Sequence, residues 1–368
     1  MASRFMQLHR RSEMGNLAQL KGTMLLTILI TLVIFVGFIA VVSVFFSYAT
    51  DLQLDPASIL VGALALALVF MLIQFAVSPS IVRWSTRLRY LQPGENPWLE
   101  TAVSKLAQQA EVNLPRLAIV PDRTPNAFVF GNSSNNMTLA VNQGLLDQLN
   151  ENEIQGVLAH ELGHIRHKDS IIMTFMSAVP LVAYVIVQMA FNFGFYGGTV
   201  GQRRGNRNGA AYIVLAGIVA LVVYFVAQLL VLRLSRLRES YADAFSGYLT
   251  AAPRELESAL ARITYGLSLS PQEPHGARAL YIADPALAKQ EVGQVMEHVN
   301  KYDLNKDGVL DEHELELAME QEAKSRWGAL NGAFATHPPT YKRLLLLRQI
   351  DQDIQSRGVQ TTDMYARV

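Results

Sequence analysis

Four long stretches of the chain contain no Asp, Glu, Lys or Arg, and they define its architecture. These stretches are Gly22–Thr50, Pro56–Val82, Ser170–Gln202 and Asn208–Leu232. Each holds about 20 or more mostly apolar residues, enough for a helix to cross a hydrocarbon core of about 30 Å. A soluble helix of that length is expected to carry a charged face, and none of the four does. The pattern therefore predicts an integral membrane protein with four spans.

The residues between the second and third spans have the pattern of a soluble domain. Residues 97–110 carry apolar side chains at helical spacing. Short apolar runs follow at 117–120, 127–130 and 138–141, separated by Pro, Asn, Gly and Ser, which is typical of short strands. Helical periodicity then returns over 151–168. We therefore expect a helix that lies on a small sheet.

The last of these helices contains the sequence His160-Glu161-Leu162-Gly163-His164. Two histidines four residues apart lie on the same face of a helix, so both imidazoles can reach one metal ion. Glu161 is placed to act as general base on a water at that metal. The alternative is a coincidental match in an ordinary surface helix. Helical periodicity continues on both sides of the motif, and the chain offers a third candidate ligand. Both observations favour a zinc site.

That third candidate is Glu239, which follows the fourth span. Spans three and four form a hairpin that returns the chain to the membrane face at which the motif helix ends. Glu239 can then complete a His, His, Glu set and leave a fourth position open for water. Asp243, one turn further on, is placed to orient a ligand imidazole. Alone, Glu239 would be read as an exposed acid below a membrane helix; beside the two histidines we favour the ligand. His167, three residues beyond His164, is expected to lie off the metal.

Charge and composition set the topology and exclude some classes of protein. The formal net charge is zero, so nothing indicates nucleic acid binding, and the absence of Cys excludes disulfides and cysteine-ligated zinc. Basic residues before the first span, after the second and after the fourth predict that the N-terminus and the motif helix are cytoplasmic. Arg203, Arg204 and Arg207 lie on the predicted outer side and oppose this orientation.

Residues 303–314 match a twelve-residue EF-hand loop, with Gly308 at the sixth position and apolar Leu310 at the eighth. The alternative is a polar turn between helices, which gives no reason for every donor position to match. EF-hands usually occur in pairs, and no second loop is present in the sequence. We expect calcium binding here and hypothesise that it orders a lid beside the zinc site. The candidate calcium ligands are Asp303, Asn305, Asp307, Val309, Asp311 and Glu314.

Four motifs together resemble the HtpX family of membrane metallopeptidases, which is related to the CAAX prenyl endopeptidases. They are His160–His164, Arg238–Asp243, Asn126-Ala127-Phe128, and His337-Pro338-Pro339 with Arg343. The resemblance implies a gluzincin-type zinc endopeptidase of a prokaryotic cytoplasmic membrane. It also implies a part in removing damaged or misassembled membrane proteins, a quality-control and stress-response role.

Carried over residue by residue, the resemblance implies that His160, His164 and Glu239 bind zinc and that Glu161 is the base. It implies that Asn126 and Ala127 lie on a substrate-binding edge strand. It also implies that His337 and Arg343 lie near the cleft, where His337 stabilises the oxyanion and Arg343 contacts substrate. For His337 the alternative is a residue at a helix start before two prolines.

These observations predict an α+β, mainly α fold, with a four-helix membrane-embedded region and a cytoplasmic zincin-like metallopeptidase domain. The expected partners are protein or peptide substrates, chiefly membrane proteins, and the lipid bilayer.

Two other functions are weighed: a non-enzymatic calcium-responsive adaptor with a structural zinc site, and a transporter. Two His and one Glu leave the zinc coordination open, whereas a structural zinc site in an adaptor is usually closed by four protein ligands. Transport pathways usually contain ionisable residues inside the membrane, and the four spans have none. The predicted segments are a tail at 1–21, a membrane hairpin at 22–82, the zincin-like subdomain at 83–169, a second hairpin at 170–234, a third-ligand helix at 235–264, the calcium-loop insertion at 265–330 and a helical C-terminal segment at 331–368.

Overall fold

A computed structural model gives the fold of residues 2–49, 55–196, 207–269, 280–297, 299–304, 314, 317–318 and 334–357. The helices are α1 Ala2–Ala49, α2 Pro56–Thr86, α3 Pro97–Gln109, α4 Gln143–Gln148, α5 Glu151–Arg166, α6 Asp169–Tyr196, α7 Arg207–Thr250, α8 Pro253–Ser268, α9 Pro285–Glu297, α10 Val299–Tyr302 and α11 Thr340–Arg357. The strands are β1 Arg89–Tyr90, β2 Arg116–Val120, β3 Ala127–Phe130 and β4 Thr138–Asn142. The predicted fold class, mainly helical with a small sheet, is confirmed.

Within the described ranges, four helices are long and apolar enough to cross a membrane, as predicted. The qualifying segments are Leu20–Phe45, Ala67–Thr86, Asp169–Asn192 and Tyr212–Thr250. The fourth helix differs most from the sequence pattern, because α7 continues without a break past the end of its apolar stretch to Thr250. The helix ends at Thr250, because the next residue, Ala251, adopts a positive φ of 52°. Pro253 then starts α8. The segment that carries Glu239 is therefore the end of a membrane helix.

The described residues form two compact units. One comprises 22–77 and 172–234, that is, most of the four membrane helices. Its core is made by aromatic and small side chains, among them Phe35, Phe38, Ala183 and Ala220, while many of its Leu and Val side chains are exposed. An apolar surface over a small apolar core suits a bundle whose outer solvent is lipid.

The other unit contains residues 78–171 and the chain from 235 onward, together with the N-terminal part of α1 up to 21. Its sheet has the strand order β1-β2-β4-β3, in which β2 and β4 are parallel and the other two pairs are antiparallel. β3 therefore lies at one edge. Alternate side chains cover the two faces: Ala127 and Val129 join one core, and Phe128 and Phe130 another.

The motif helix α5 packs on the first of these faces. Its apolar residues, including Val157, Leu158 and Leu162, are fully buried with side chains of α3, β4 and α8. The helix starts with a capping box, in which the Asn150 side chain accepts from the Glu153 backbone and Glu153 accepts from the Asn150 N–H. Both motif imidazoles are thus carried by a helix fixed at its N-terminus and along its buried face.

Two glycines let neighbouring helices approach α5 closely. A Cβ at Gly156 would meet the backbone nitrogen of Leu256 in α8 at 3.0 Å, and one at Gly163 would meet Phe245 Cδ1 in α7 at 3.0 Å. The Ser246 hydroxyl of α7 also donates to the Gly156 carbonyl at 2.7 Å. The glycine inside the motif therefore allows α7 to approach the two histidines.

Some predictions concern residues outside the described ranges. Most of the calcium loop, 305–313, and the arginines at 203 and 204 belong to this group. The predictions made for them stay predictions.

Candidate metal centre

Three side chains from α5 and α7 direct their ligand atoms to one point. His160 Nε2 lies 3.1 Å from His164 Nε2. Glu239 Oε2 lies 3.4 Å from His160 Nε2, and Glu239 Oε1 lies 3.4 Å from His164 Nε2. The sequence-predicted ligands are therefore brought together, although 79 residues separate Glu239 from His160.

This spacing fits a tetrahedral zinc ion. Zinc–nitrogen and zinc–oxygen distances of about 2.0–2.2 Å place neighbouring ligands about 3.3 Å apart. Among the described residues, Glu239 Oε2 is buried without a hydrogen-bond partner. This oxygen lies 3.4 Å from His160 Nε2 and 3.7 Å from Arg343 Nη2, without a hydrogen bond to either. A buried carboxylate oxygen without a hydrogen bond is expected of a cation ligand and is costly otherwise. The donor set and its spacing suit zinc.

The outer edges of both imidazoles are held by carboxylates. His160 Nδ1 lies 2.9 Å from Asp243 Oδ1, and His164 Nδ1 lies 2.8 Å from Asp169 Oδ2. Asp169 is also in ion-pair contact with Arg238. Such contacts fix the ring orientation and leave each Nε2 free for a metal.

Arg343 of α11 secures one of these carboxylates. Its Nε and Nη2 donate to the two oxygens of Asp243 at 2.8 and 2.7 Å, a bidentate pair. Its Nη1 donates to the carbonyl of Ile282. Burial lowers the pKa of Arg343, but the charge and hydrogen bonds of Asp243 outweigh it and raise the pKa, so Arg343 stays protonated. All three nitrogens have protein partners, so Arg343 supports the site from behind; the predicted contact with substrate stays a prediction.

Glu161 lies beside the ligand atoms. A carboxylate oxygen of Glu161 and ring nitrogens of His160 and His164 lie within 4.8 Å of one another. The side chain is almost fully buried. Burial raises the pKa of Glu161, and the two histidines only partly oppose that shift. A carboxylate with a raised pKa is a better proton acceptor at neutral pH than an exposed one.

His337 lies close to the third candidate ligand, Glu239. Its Nε2 lies 3.6 Å from Glu239 Oε1, and its side chain is buried. Burial lowers the pKa of His337, which opposes protonation of the ring. For His160 burial acts in the same direction, but the carboxylates of Asp243 and Glu239 outweigh it and raise the pKa to about 9. A cation at Nε2 must therefore displace a proton from this ring.

The edge strand β3 starts at Ala127, one residue after Asn126. Asn142 N donates to the Asn126 carbonyl, so residues 126, 128 and 130 bond to β4. Ala127 and Val129 consequently direct their backbone N–H and C=O groups away from β4. The Asn126 side chain is itself engaged: Nδ2 donates to the Leu280 carbonyl at 3.0 Å, and Oδ1 accepts from Ile282 N at 2.9 Å.

A family model for peptidase family M48 matches residues 93–351 of the chain. That match covers more than half of the sequence, including the α5 motif, Glu239 and His337. The chain belongs to peptidase family M48. It is therefore a protease of a membrane metallopeptidase family, and the predicted resemblance to HtpX is confirmed.

Relatives extend the similarity of this M48 peptidase along nearly the whole chain. A protease HtpX homolog of Aeropyrum pernix is 33% identical over 308 residues, which is 82% of this chain and 89% of the relative. One of Moorella thermoacetica is 30% identical over 352 residues, 94% of this chain and 99% of the relative. Among solved structures, S. mikatae Ste24p matches with a TM-score of 0.48 at 15% identity, over 83% of this chain and 62% of Ste24p, less than two thirds of that protein.

Several residues of the M48 site were not found from the sequence. Asp169 lies shortly after the motif helix and five residues after His164. An acidic residue so close to the second histidine could have been predicted to contact its ring. Asp284, Glu291 and Thr336, which surround the His337 segment, had no such signal, because their contacts join residues about 50 positions apart.

His167 packs its ring on Tyr241 and Phe245, at centroid distances of 4.5 and 5.2 Å. Burial lowers the pKa of His167 to about 3, as expected for a ring in an apolar contact.

Proposed function

We propose that this chain is an integral membrane, zinc-dependent endopeptidase that hydrolyses peptide bonds of membrane or misfolded proteins. The observation that carries the proposal is the convergence of His160 Nε2, His164 Nε2 and the Glu239 carboxylate within 3.1–3.4 Å. Three protein ligands leave a fourth tetrahedral position, which is typical of catalytic rather than structural zinc.

The residues around that position supply acid–base chemistry. When bound, zinc lowers the pKa of a coordinated water and polarises a carbonyl group. Glu161 accepts the proton of the attacking water and passes it to the leaving amine, which its buried carboxylate and raised pKa favour. His337 Nε2 lies 3.6 Å from a carboxylate oxygen of the third ligand, within reach of the zinc site, where it can donate to the oxyanion.

Substrate is held by its backbone. The outward N–H and C=O groups of Ala127 and Val129 are suited to an added antiparallel strand. Such a strand binds in fixed register with little demand on sequence, which suits an enzyme that degrades many misfolded chains. Asn126 contributes by fixing the 280–282 segment beside that edge.

The proposed setting is the cytoplasmic membrane of a prokaryote, with the site facing the cytoplasm. The four apolar helices support a membrane setting. The basic residues before the first span and after the second and fourth support this orientation, while Arg203, Arg204 and Arg207 oppose it. The names of the relatives, protease HtpX homologs, support proteolysis. Membrane protein quality control is the role that the resemblance to the HtpX family implies. The alternative, a non-enzymatic adaptor with structural zinc, is disfavoured because such zinc is usually closed by four protein ligands.

The test compares the detergent-purified wild type with Glu161→Gln, using casein and a model membrane protein as substrates. Both proteins should contain about one zinc per chain, and only the wild type should cleave. Glu151→Gln is the matched control, because Glu151 is exposed in the first turn of the same helix. It should cleave as the wild type does. Turnover by Glu161→Gln would remove Glu161 as the base, and zinc without cleavage in all three proteins would favour the adaptor.

Calcium is the second component of the proposal. The complete set of donor positions in 303–314 supports an EF-hand site. At the described ends of the loop, Leu304 N donates to Glu314 Oε1 at 2.7 Å, and Glu314 is buried. The second and last loop positions are therefore in contact, so the two ends of the loop lie close together.

Calcium titration of the full chain tests this component. Calcium should raise the thermal midpoint of the wild type and change its cleavage rate. Glu314→Gln should lose both responses, since the bidentate acid is removed. Absence of any effect of calcium on midpoint or rate in the wild type would refute calcium binding without bearing on the zinc site.

A further inference from the structure

Helix α9 holds the segment that carries His337 through a carboxylate at its N-terminus. Asp284 Oδ2 accepts from the Thr336 backbone N–H at 3.2 Å and lies at the same distance from the Thr336 hydroxyl oxygen. Thr336 Oγ1 also shares a hydrogen bond with His337 Nδ1 at 2.9 Å. The three side chains thus form a continuous chain from α9 to the imidazole.

The same helix holds the other end of this segment. Glu291 Oε1 accepts from the backbone N–H of Thr340 at 3.0 Å. Asp284 directly precedes α9, and Glu291 lies seven residues further along, inside the helix. Two carboxylates, one at the start of the helix and one within it, therefore fix the backbone on both sides of His337-Pro338-Pro339. The prolines restrict the backbone between these two points.

The consequence for His337 is a fixed ring orientation. Thr336 engages the Nδ1 edge, and the Nε2 edge faces Glu239 Oε1 at 3.6 Å. The Thr336 hydroxyl has one proton, which it donates either to Asp284 or to Nδ1. In the second arrangement Nε2 carries the ring proton and faces the reaction site; in the first the ring must be doubly protonated to donate there. In both, the position of Nε2 is set from α9.

We propose that Thr336 and Asp284 are positioning residues that act through His337 to place its Nε2 against the developing oxyanion. The inference rests on the proposed function, because it assigns His337 a role in peptide hydrolysis. A ring free to rotate about its side-chain bonds would spend less time in the productive orientation, and small displacements of a donor reduce the rate strongly.

The chain offers variants that separate this role from general stability. Thr336→Val removes the hydroxyl at nearly constant shape, and Thr336→Ser restores it. Asp284→Asn keeps the start of α9, because Asp284 Oδ1 accepts from Ala286 N and Leu287 N and an asparagine oxygen can do the same. Thr101→Val is the matched control, since that hydroxyl bonds only within α3, to Pro97 O, among its described contacts.

We expect Thr336→Val and Asp284→Asn to lower kcat about tenfold, with KM, zinc content and thermal midpoint near wild type. Thr336→Ser should recover most of the rate, and Thr101→Val should leave it unchanged. The inhibition constant of a phosphonopeptide, a tetrahedral analogue of the transition state, should rise by the factor by which kcat falls.

A double-mutant cycle decides whether the effect passes through His337. In a His337→Ala background, Thr336→Val should cause no further loss of phosphonopeptide affinity, which can be measured even where turnover is too slow to follow. An equal loss in both backgrounds, or full activity of Thr336→Val, would overturn the inference. If instead the wild type fails to cleave or Glu161→Gln cleaves normally, it is the proposed function that fails.

Discussion

Asp243 Oδ1 lies 2.9 Å from His160 Nδ1, so a carboxylate four residues after the third ligand candidate supports the first histidine. Both residues are completely buried. The same carboxylate receives two hydrogen bonds from Arg343. α5, α7 and α11 therefore meet at one buried carboxylate, and the orientation of His160 depends on all three helices.

Removal of the Asp243 charge should weaken metal binding and also lower stability, because the buried Arg343 guanidinium loses its counter-charge. We expect Asp243→Asn to lower zinc affinity about 10–100-fold, because the imidazole loses a partner that fixes its orientation and raises its basicity. Competition with a chelator of known affinity measures the change. Asp147→Asn, at an exposed carboxylate on α4, is the control and should retain wild-type affinity. Equal affinities for both variants would show that Asp243 is not needed to orient His160.

A methyl group at Gly163 should push α7 away from the motif. The new Cβ would lie 3.0 Å from Phe245 Cδ1, closer than an ordinary contact. We expect Gly163→Ala to lower the free energy of unfolding by about 1–3 kcal/mol and to reduce zinc affinity, since Glu239 and the histidines move apart. Thermal unfolding and chelator competition measure the two effects.

The control for that substitution is Gly293→Ala in α9, where a Cβ meets nothing within 4 Å. Alanine has less conformational freedom than glycine in the unfolded chain. The substitution should therefore leave the folded protein equally stable or stabilise it by up to about 1 kcal/mol. Adding Phe245→Leu to Gly163→Ala should recover part of the zinc affinity. If Gly163→Ala binds zinc as the wild type does, the close approach of α5 and α7 is not what sets the ligand geometry.

Local pattern was sufficient to predict the elements of the site. The helix predicted at 97–110 is observed at Pro97–Gln109, and the three predicted strands are observed within one residue at either end. The helix repeats its apolar residues with the helical period, and the strands are short apolar runs bounded by turn residues, so neighbouring residues contain the information. The motif helix, predicted over 151–168, ends at Arg166 because Lys168 adopts a positive φ of 57°.

Long-range contacts were not predictable in the same way. The Asp284–Thr336 and Asn126–Ile282 hydrogen bonds join residues 52 and 156 positions apart. Each residue taken alone has an ordinary local explanation, Asp284 as a helix cap and Asn126 as a turn residue. Glu239 was the exception, since the length of the membrane hairpin indicated where the chain returns. β1, with only two residues, is too short for a period to be seen.

Trp84 should mark the membrane–water interface. It is 84% exposed near the end of the Ala67–Thr86 span, close to Arg83 and Arg87 in sequence. Indole rings concentrate at the headgroup level of bilayers. In a variant with Trp98→Phe and Trp327→Phe, lipids brominated near the headgroup should quench Trp84 fluorescence. A variant that keeps only Trp98, which packs on the core around α3, should not be quenched. Strong quenching of Trp84 by aqueous iodide alone would place it in water.

Glu291 should make stability depend on pH. Burial raises the pKa of its carboxyl from 4.5 to about 7, against the opposing effect of its hydrogen bonds from Thr340. The folded protein therefore binds this proton more tightly than the unfolded chain. The contribution to stability is fully present below about pH 4.5 and is lost as the pH rises through about 7.

Glu291→Gln removes this dependence while keeping an oxygen that can accept from Thr340 N. Thermal midpoints of both proteins, measured in one detergent from pH 5 to 8, should diverge. The midpoint of the variant relative to the wild type should increase as the pH rises, with most of the change between pH 5 and 7, because only the wild type must accommodate a buried charge. Parallel curves would mean that the Glu291 carboxyl titrates alike in the folded and unfolded chains. Its contact with Thr340 would then be made by a solvated carboxylate at neutral pH.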